Sequence, residues 1–159
     1  MHEGKKDKEF TAYCGLYCGD CIPSDQQLFN TAEKLKEELD KRQFDKYAEL
    51  KSKKTAIFND YEIFRRVLSA IIDLRCPKPC VNNGGNPNCK IRECVREKGF
   101  EGCWECSDFE NCDLLEHLST AHGETPRHNL RLIREYGVEN WAEKRGKHYL
   151  WNKKDRKLA

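Results

Sequence analysis

The sequence predicts a mainly α protein: a small helical domain with an irregular, loop-rich region in which cysteines bind metal. Three observations lead there. Apolar residues recur at helical spacing in the stretch between Cys21 and Cys76, which contains no cysteine. No segment shows the strict alternation of a half-buried strand. Ten cysteines fall into two blocks set among glycines and prolines, where long regular elements are hard to sustain.

The elements follow in order. Pro23, Ser24 and Asp25 supply helix-start signals, and Leu28, Ala32, Leu35 and Leu39 then repeat at helical spacing. A second helix is expected over Phe44 to Lys51. A third begins near Asn59 or Asp60 and carries Ile63, Phe64, Val67, Leu68, Ile71 and Ile72 as one stripe. It is the most hydrophobic segment, so it is expected to be the main core helix. Residues 76 to 89, rich in Asn, Gly and Pro, read as loop. A short helix is expected from Lys90 to Lys98, stopped by Gly99, and another after Cys112 through Leu118. Thr125 and Pro126 look like the N-cap and first residue of a helix carrying Leu130, Ile133 and Tyr136 and ending at Gly137. A last helix is expected over Val138 to Arg145, with Trp141 facing inward.

The 159 residues suit one domain. Its cysteine-rich part covers residues 11–118 and includes a helical insert at 23–75; C-terminal helices and a basic tail cover 124–159. Only 38% of residues are hydrophobic, cysteines included, and 35% are charged. So thin an apolar supply is typical of small domains that lean on disulfides or metals. Met1 to Phe10 lacks the apolar stretch of a secretory signal, and no run is long and apolar enough to span a membrane. The expected location is therefore the reducing cytoplasm, where clustered cysteines bind metal more often than they pair.

Charge does not argue for nucleic acid. The formal net charge is +2 with neutral thiols, but each zinc adds two charges and each thiolate removes one. Three ions on ten thiolates, or two on eight, make the protein slightly acidic. The signs are segregated, however. Every charged residue from Glu101 to Glu116 is acidic, whereas Lys144 to Ala159 carries Lys and Arg with a single Asp155. These stretches are read as solvated faces.

The candidate metal ligands are Cys14, Cys18 and Cys21 in the first block, and Cys76, Cys80, Cys89, Cys94, Cys103, Cys106 and Cys112 in the second. Cys18/Cys21 and Cys103/Cys106 have the two-residue gap that lets a chain turn back and share an ion. Tetrahedral zinc takes four ligands, so ten cysteines suit two or three ions. One division closes a site with Cys76, Cys80, Cys89 and Cys94. The other six then form a binuclear cluster or two three-cysteine sites, with His117 and His122 the nearest candidates to complete them. A second division makes two four-cysteine sites with two cysteines over. In either, the first block needs partners from the second, so metal closes a long loop around the insert.

Iron–sulfur is the competing cofactor, because the same thiolates serve either metal. Cys14-x3-Cys18-x2-Cys21 resembles the cluster motif of radical S-adenosylmethionine enzymes, but Asp20 stands where an aromatic usually precedes the third cysteine. The βα barrel of that family needs strands and length that this chain lacks. Cys103-x2-Cys106-x5-Cys112 resembles part of the auxiliary-cluster motif of SPASM domains, and the next cysteine expected there falls at Glu116.

A wider resemblance covers most of residues 11 to 151. It is carried by Tyr13 to Ile22 (YCGLYCGDCI), Cys89 to Cys112 (CKIRECVREKGFEGCWECSDFENC) and Leu132 to Trp141 (LIREYGVENW). These resemble the prokaryotic family named domain of unknown function 3795. The resemblance implies a small cysteine-rich protein that binds zinc, and it supplies no activity. Many members continue after a segment like Tyr149-Leu150-Trp151 into a further cysteine pair; here Asn152, Lys153 and Lys154 follow instead.

No catalytic motif for a serine nucleophile, a nucleotide-binding loop or a zinc protease occurs. Gly84-Gly85 reads as a turn between ligands. The expected function is a zinc protein with structural multi-cysteine sites, not an enzyme, that presents a surface to a protein partner, with Trp104 either an anchor at a knuckle tip or packed over the metal site. The alternatives are an iron–sulfur or thiol redox protein, and a nucleic-acid-binding zinc protein using the basic tail with Tyr149 and Trp151 as stacking groups.

Overall fold

In the computed structural model, which describes residues 3–152, helices α1 (Glu3–Phe10), α2 (Gln26–Lys41), α3 (Phe44–Ser52) and α4 (Tyr61–Asp73) occupy the first half. Helices α5 (Lys90–Glu97), α6 (Asp113–Glu116), α7 (Ser119–His122) and α8 (Thr125–Tyr136) follow. The protein is mainly α; among the described residues the β pairing amounts to one antiparallel bridge, Thr11 to Tyr17. Lys153 to Ala159, and so most of the basic tail, lie outside the described residues.

The chain divides into two compact units, one formed by residues up to Ser24 with those from Lys78 onward, the other by Asp25–Pro77. In the second unit, Asp25 caps α2: its carboxylate accepts the backbone N–H groups of Gln27 and Leu28, both at 3.1 Å. Phe29 and Ala32 on α2, Ala48 on α3 and Leu68 on α4 are buried. Arg75 ties the exit of the unit to its entry. Its guanidinium donates to Gln26 (2.8 Å), Glu33 (2.9 Å) and Asn30 (2.6 Å), and Gln26 donates to the Cys76 carbonyl. Entry and exit therefore lie side by side, the arrangement in which an inserted segment is readily tolerated.

The expected role of α4 is corrected here. Of its apolar stripe only Leu68 is buried, while Ile63 and Val67 are 57% and 52% exposed. Three helices alone have too little volume to cover both sides of every apolar stripe. The remainder forms a shallow apolar groove lined by Leu35, Leu39, Phe44, Ile57, Phe58 and Phe64.

The larger core is in the first unit. Ile91, Val95, Cys103, Phe109, Leu115, Leu130, Ile133 and Trp141 pack together. Most come from α5, α8 and tight turns. Long-range hydrogen bonds hold these parts: Trp141 Nε1 donates to Thr11 Oγ1 (2.9 Å), and Asn129 donates to the Gly15 carbonyl (2.8 Å) while accepting Gly146 N–H (2.6 Å).

Two local expectations differ from the structure. No helix spans Val138 to Arg145; a single 3-10 turn occupies Ala142–Lys144. Trp141 is fully buried as expected, but it is anchored from a turn because Trp141 and Arg145 are both committed to distant partners, Thr11 and Asp20. At α8, Pro126 stands at the helix start, yet Thr125 is not the cap: its hydroxyl donates to the Lys147 carbonyl, and Glu124 occupies the N-cap position.

Candidate metal centre

All ten cysteines lie among the described residues, and no disulfide joins them. Both C-x2-C sequences make the same turn. Cys18–Asp20 and Cys103–Glu105 are single 3-10 turns, closed by Cys21 N–H to the Cys18 carbonyl and Cys106 N–H to the Cys103 carbonyl, each 3.1 Å. Phe109–Asn111 repeats the shape and delivers Cys112. The blocks meet through the backbone, where Cys103 N–H donates to the Tyr13 carbonyl at 2.9 Å.

Around one cavity of about 30 Å³ the structure gathers Cys94, Cys103, Cys106 and Cys112. Val95, Phe100, Phe109 and Leu115 complete its walls, and Lys98 Nζ lies 3.9 Å from Cys106 Sγ. That volume is far below the ~300–1,000 Å³ of a pocket for an organic ligand, so an occupant there would be small. Burial pushes the Cys103 thiol up to about 12, and Cys112, Cys94 and Cys106 nearby add to the shift. A divalent cation at the centre would reverse that balance by stabilising every thiolate at once.

A second group forms next to it. Cys80 N–H donates to Cys18 Sγ at 3.4 Å. Burial pushes the Cys14 thiol up, and Cys80, Cys103 and Cys89 are close enough to add to the shift. Arg92, only 5% exposed, points its guanidinium at Cys80 Sγ (3.5 Å) and at the Gly84 carbonyl. Gly84 is the residue that permits this loop: a Cβ there would sit 1.8 Å from the Lys78 carbonyl oxygen. Cys21 lies in the first knuckle with its sulfur 3.6 Å from Tyr149 Oη, and Cys76 belongs to the other compact unit.

This grouping differs from the division that joined Cys76, Cys80, Cys89 and Cys94. Cys89 caps α5 and Cys94 lies within it. Five residues at about 100° each place them roughly 140° apart around the helix axis, so they face different neighbours. Among the described residues, no three or more His, Cys, Asp or Glu groups converge closely enough to hold an ion as they stand. The donor chemistry and the cavity size fit zinc nonetheless, and a cysteine sulfur moves between staggered positions by rotation about one bond.

Arginines strap these turns in place. Arg134 on α8 donates from Nε to the Trp104 carbonyl (2.6 Å) and from Nη2 to the Cys106 carbonyl, with its plane 4.4 Å over the Phe109 ring. Arg127 donates to the Glu110 carbonyl (2.9 Å) and the Cys112 carbonyl (3.4 Å). Arg145 holds the first knuckle by a two-point pair with Asp20. The acidic stretch is partly neutralised in the same way, Glu110 by Arg131 at 2.6 Å and Glu116 by Arg127 at 3.0 Å. Sequence reasoning missed these arginines; their one signal was several arginines on a helix that also carries an apolar face. Trp104 does not project as an anchor. Its ring folds back over Gly102, where a Cβ would lie 2.1 Å from it, and packs against the core.

Neither histidine candidate is placed against these groups. His117 is exposed. His122 meets the His148 carbonyl through Nδ1, and its ring stacks on Tyr149, which stacks in turn on Trp151. His148 is buried between His122 (4.7 Å) and Tyr149 (4.4 Å). Burial, with His122 beside it, pushes His148 down to about 4, and Asp20 opposes this. The fold therefore favours neutral His148. Its stabilising contribution is complete above an unfolded value of about 6.5 and is lost as pH falls from there towards 4. Urea midpoints measured across that window should fall less steeply for His148→Phe than for the native protein; equal slopes would remove His148 from the account.

A mainly helical chain whose thiols are gathered at short strapped turns defines a small cysteine-rich helical protein. The chain belongs to the family described as "Protein of unknown function (DUF3795)", whose model matches residues 10–117. No curated protein and no solved structure matches it.

Proposed function

We propose that this is a zinc protein whose cysteines hold structural ions, two or three per chain, and that the folded result is a cytoplasmic module for binding a protein partner. The observation that carries the metal reading is the cavity walled by Cys94, Cys103, Cys106 and Cys112. Four thiols from one helix and two turns line one small space with an apolar surround, and thiols are seldom gathered that way without a shared occupant. Cys14, Cys18, Cys80 and Cys89 supply a second set of the same chemistry. With four thiolates per ion no coordination position is left open for substrate, which favours a structural over a catalytic role. Among the described residues no helix is long and apolar enough to cross a membrane.

Elemental analysis with an optical spectrum, on protein purified without oxygen, tests this. Colourless protein with about two zinc ions per chain, or three where thiolates bridge ions, supports the reading. Iron with matching sulfide and a brown colour replaces zinc by an iron–sulfur cluster and makes redox chemistry the function. Metal-free protein that is fully folded ends the metal reading altogether.

A further inference from the structure

We propose that Arg92 is the built-in counter-cation of a metal centre formed by Cys14, Cys18, Cys80 and Cys89, and that its charge is what lets those four thiolates coexist in the protein interior. The inference rests on the reading of the cysteines as metal ligands and assigns a role that the ligands themselves do not have.

A guanidinium stays protonated under all ordinary conditions. Burying one without an anion is strongly unfavourable, and it is found inside proteins only when paired and hydrogen-bonded. Arg92 is 5% exposed. Its Nη2 reaches the Gly84 carbonyl and Cys80 Sγ, while Nε is buried with no partner among the described residues. No carboxylate among the described residues answers its charge. Glu93, the next residue, turns its carboxylate to Lys90 at 2.8 Å. Cys80, Cys89 and Tyr13 lie within electrostatic reach of it. The anion that balances Arg92 therefore has to come from thiolates. A divalent ion with four thiolates carries two net negative charges, and one buried arginine offsets half of that.

The other group is built differently. Its cation is Lys98, at 3.9 Å from Cys106 Sγ, exposed at the C-cap of α5. A solvated lysine is screened and adds little. The inference therefore separates the sites: one depends on an internal charge and the other does not.

The test is a cobalt titration of the full chain, reduced and free of oxygen, followed by sulfur-to-cobalt charge-transfer absorption. The native protein is expected to fill both groups. In Arg92→Gln, which keeps a hydrogen-bond donor and loses the charge, one uptake step should weaken by about 10- to 100-fold while the other is unchanged. Arg92→Lys, which keeps the charge, should retain most of the affinity. Circular dichroism on each variant checks the fold. Two native steps in Arg92→Gln overturn the inference. So does equal weakening of both steps, or an Arg92→Lys protein that is folded yet as impaired as the Gln variant. If Arg92→Gln does not fold, the Arg92→Lys result alone decides. A native protein that takes up no cobalt overturns the metal reading itself, which is a different failure.

Discussion

If the proposed zinc is bound, stripping it with a chelator is expected to unfold the unit that contains Cys80 to Cys112 and to leave much of α2, α3 and α4 standing. Beyond its one core, the first unit has little regular structure to hold it. Apart from α1, α5 and α8 its regular structure is four-residue helices and 3-10 turns, each closed by one or two hydrogen bonds. Such pieces are unstable in isolation because nucleating a turn fixes many dihedrals for one bond. Structural zinc contributes on the order of 10–16 kcal/mol in small zinc-binding peptides at neutral pH, about as much as the whole net stability of a typical domain, roughly 5–15 kcal/mol. The second unit has its own buried residues, Phe29, Ala32, Ala48 and Leu68, and its Arg75 clamp. The readout separates the two. The three tryptophans, Trp104, Trp141 and Trp151, are all in the first unit, so their emission should shift on chelation while far-ultraviolet ellipticity falls only in part. Unchanged emission and ellipticity, with metal removal verified, would refute the structural role. Complete loss of ellipticity would show that α2 to α4 do not stand alone.

Trp141→Ala is expected to be the most damaging single substitution outside the cysteines. The side chain is fully buried in the first unit's core, beside Tyr17, and its Nε1–H donates to Thr11 Oγ1. Removing a buried tryptophan removes about 3–5 kcal/mol. Thr11, also fully buried, then loses a donor, which adds roughly 1–3 kcal/mol where nothing replaces it. The sum approaches the stability of the domain, so the variant should accumulate poorly or melt near room temperature. Trp151→Ala is the control: Trp151 is 64% exposed, and its loss should change stability by about 0.5 kcal/mol or less. Urea denaturation of both compares them directly. A Trp141→Ala protein within about 1 kcal/mol of the native one would mean that the core is centred elsewhere.

Much of the secondary structure was legible from residue order. Asp25 before an apolar repeat placed the start of α2, and Gly99 after Lys98 placed the end of α5. These signals are local: a side chain capping the N–H groups two and three residues on, or a glycine at positive φ, acts within a few residues whatever the rest of the chain does. The expectation for Val138 to Arg145 did not hold, because its outcome was decided by Thr11 and Asp20, more than a hundred residues away.

The family, the mainly helical class and the ten thiols at tight-turn spacing belong to the sequence by itself. They follow from residue types and short spacings, which no distant contact alters. Tertiary structure alone decided which cysteines meet, how little of the α4 stripe is covered, and that Arg92 is buried against sulfur with no carboxylate paired to it among the described residues. Periodicity reports that a face is apolar but not what covers it. Spacing reports that a cysteine can bind an ion but not which partner the folded chain brings within reach.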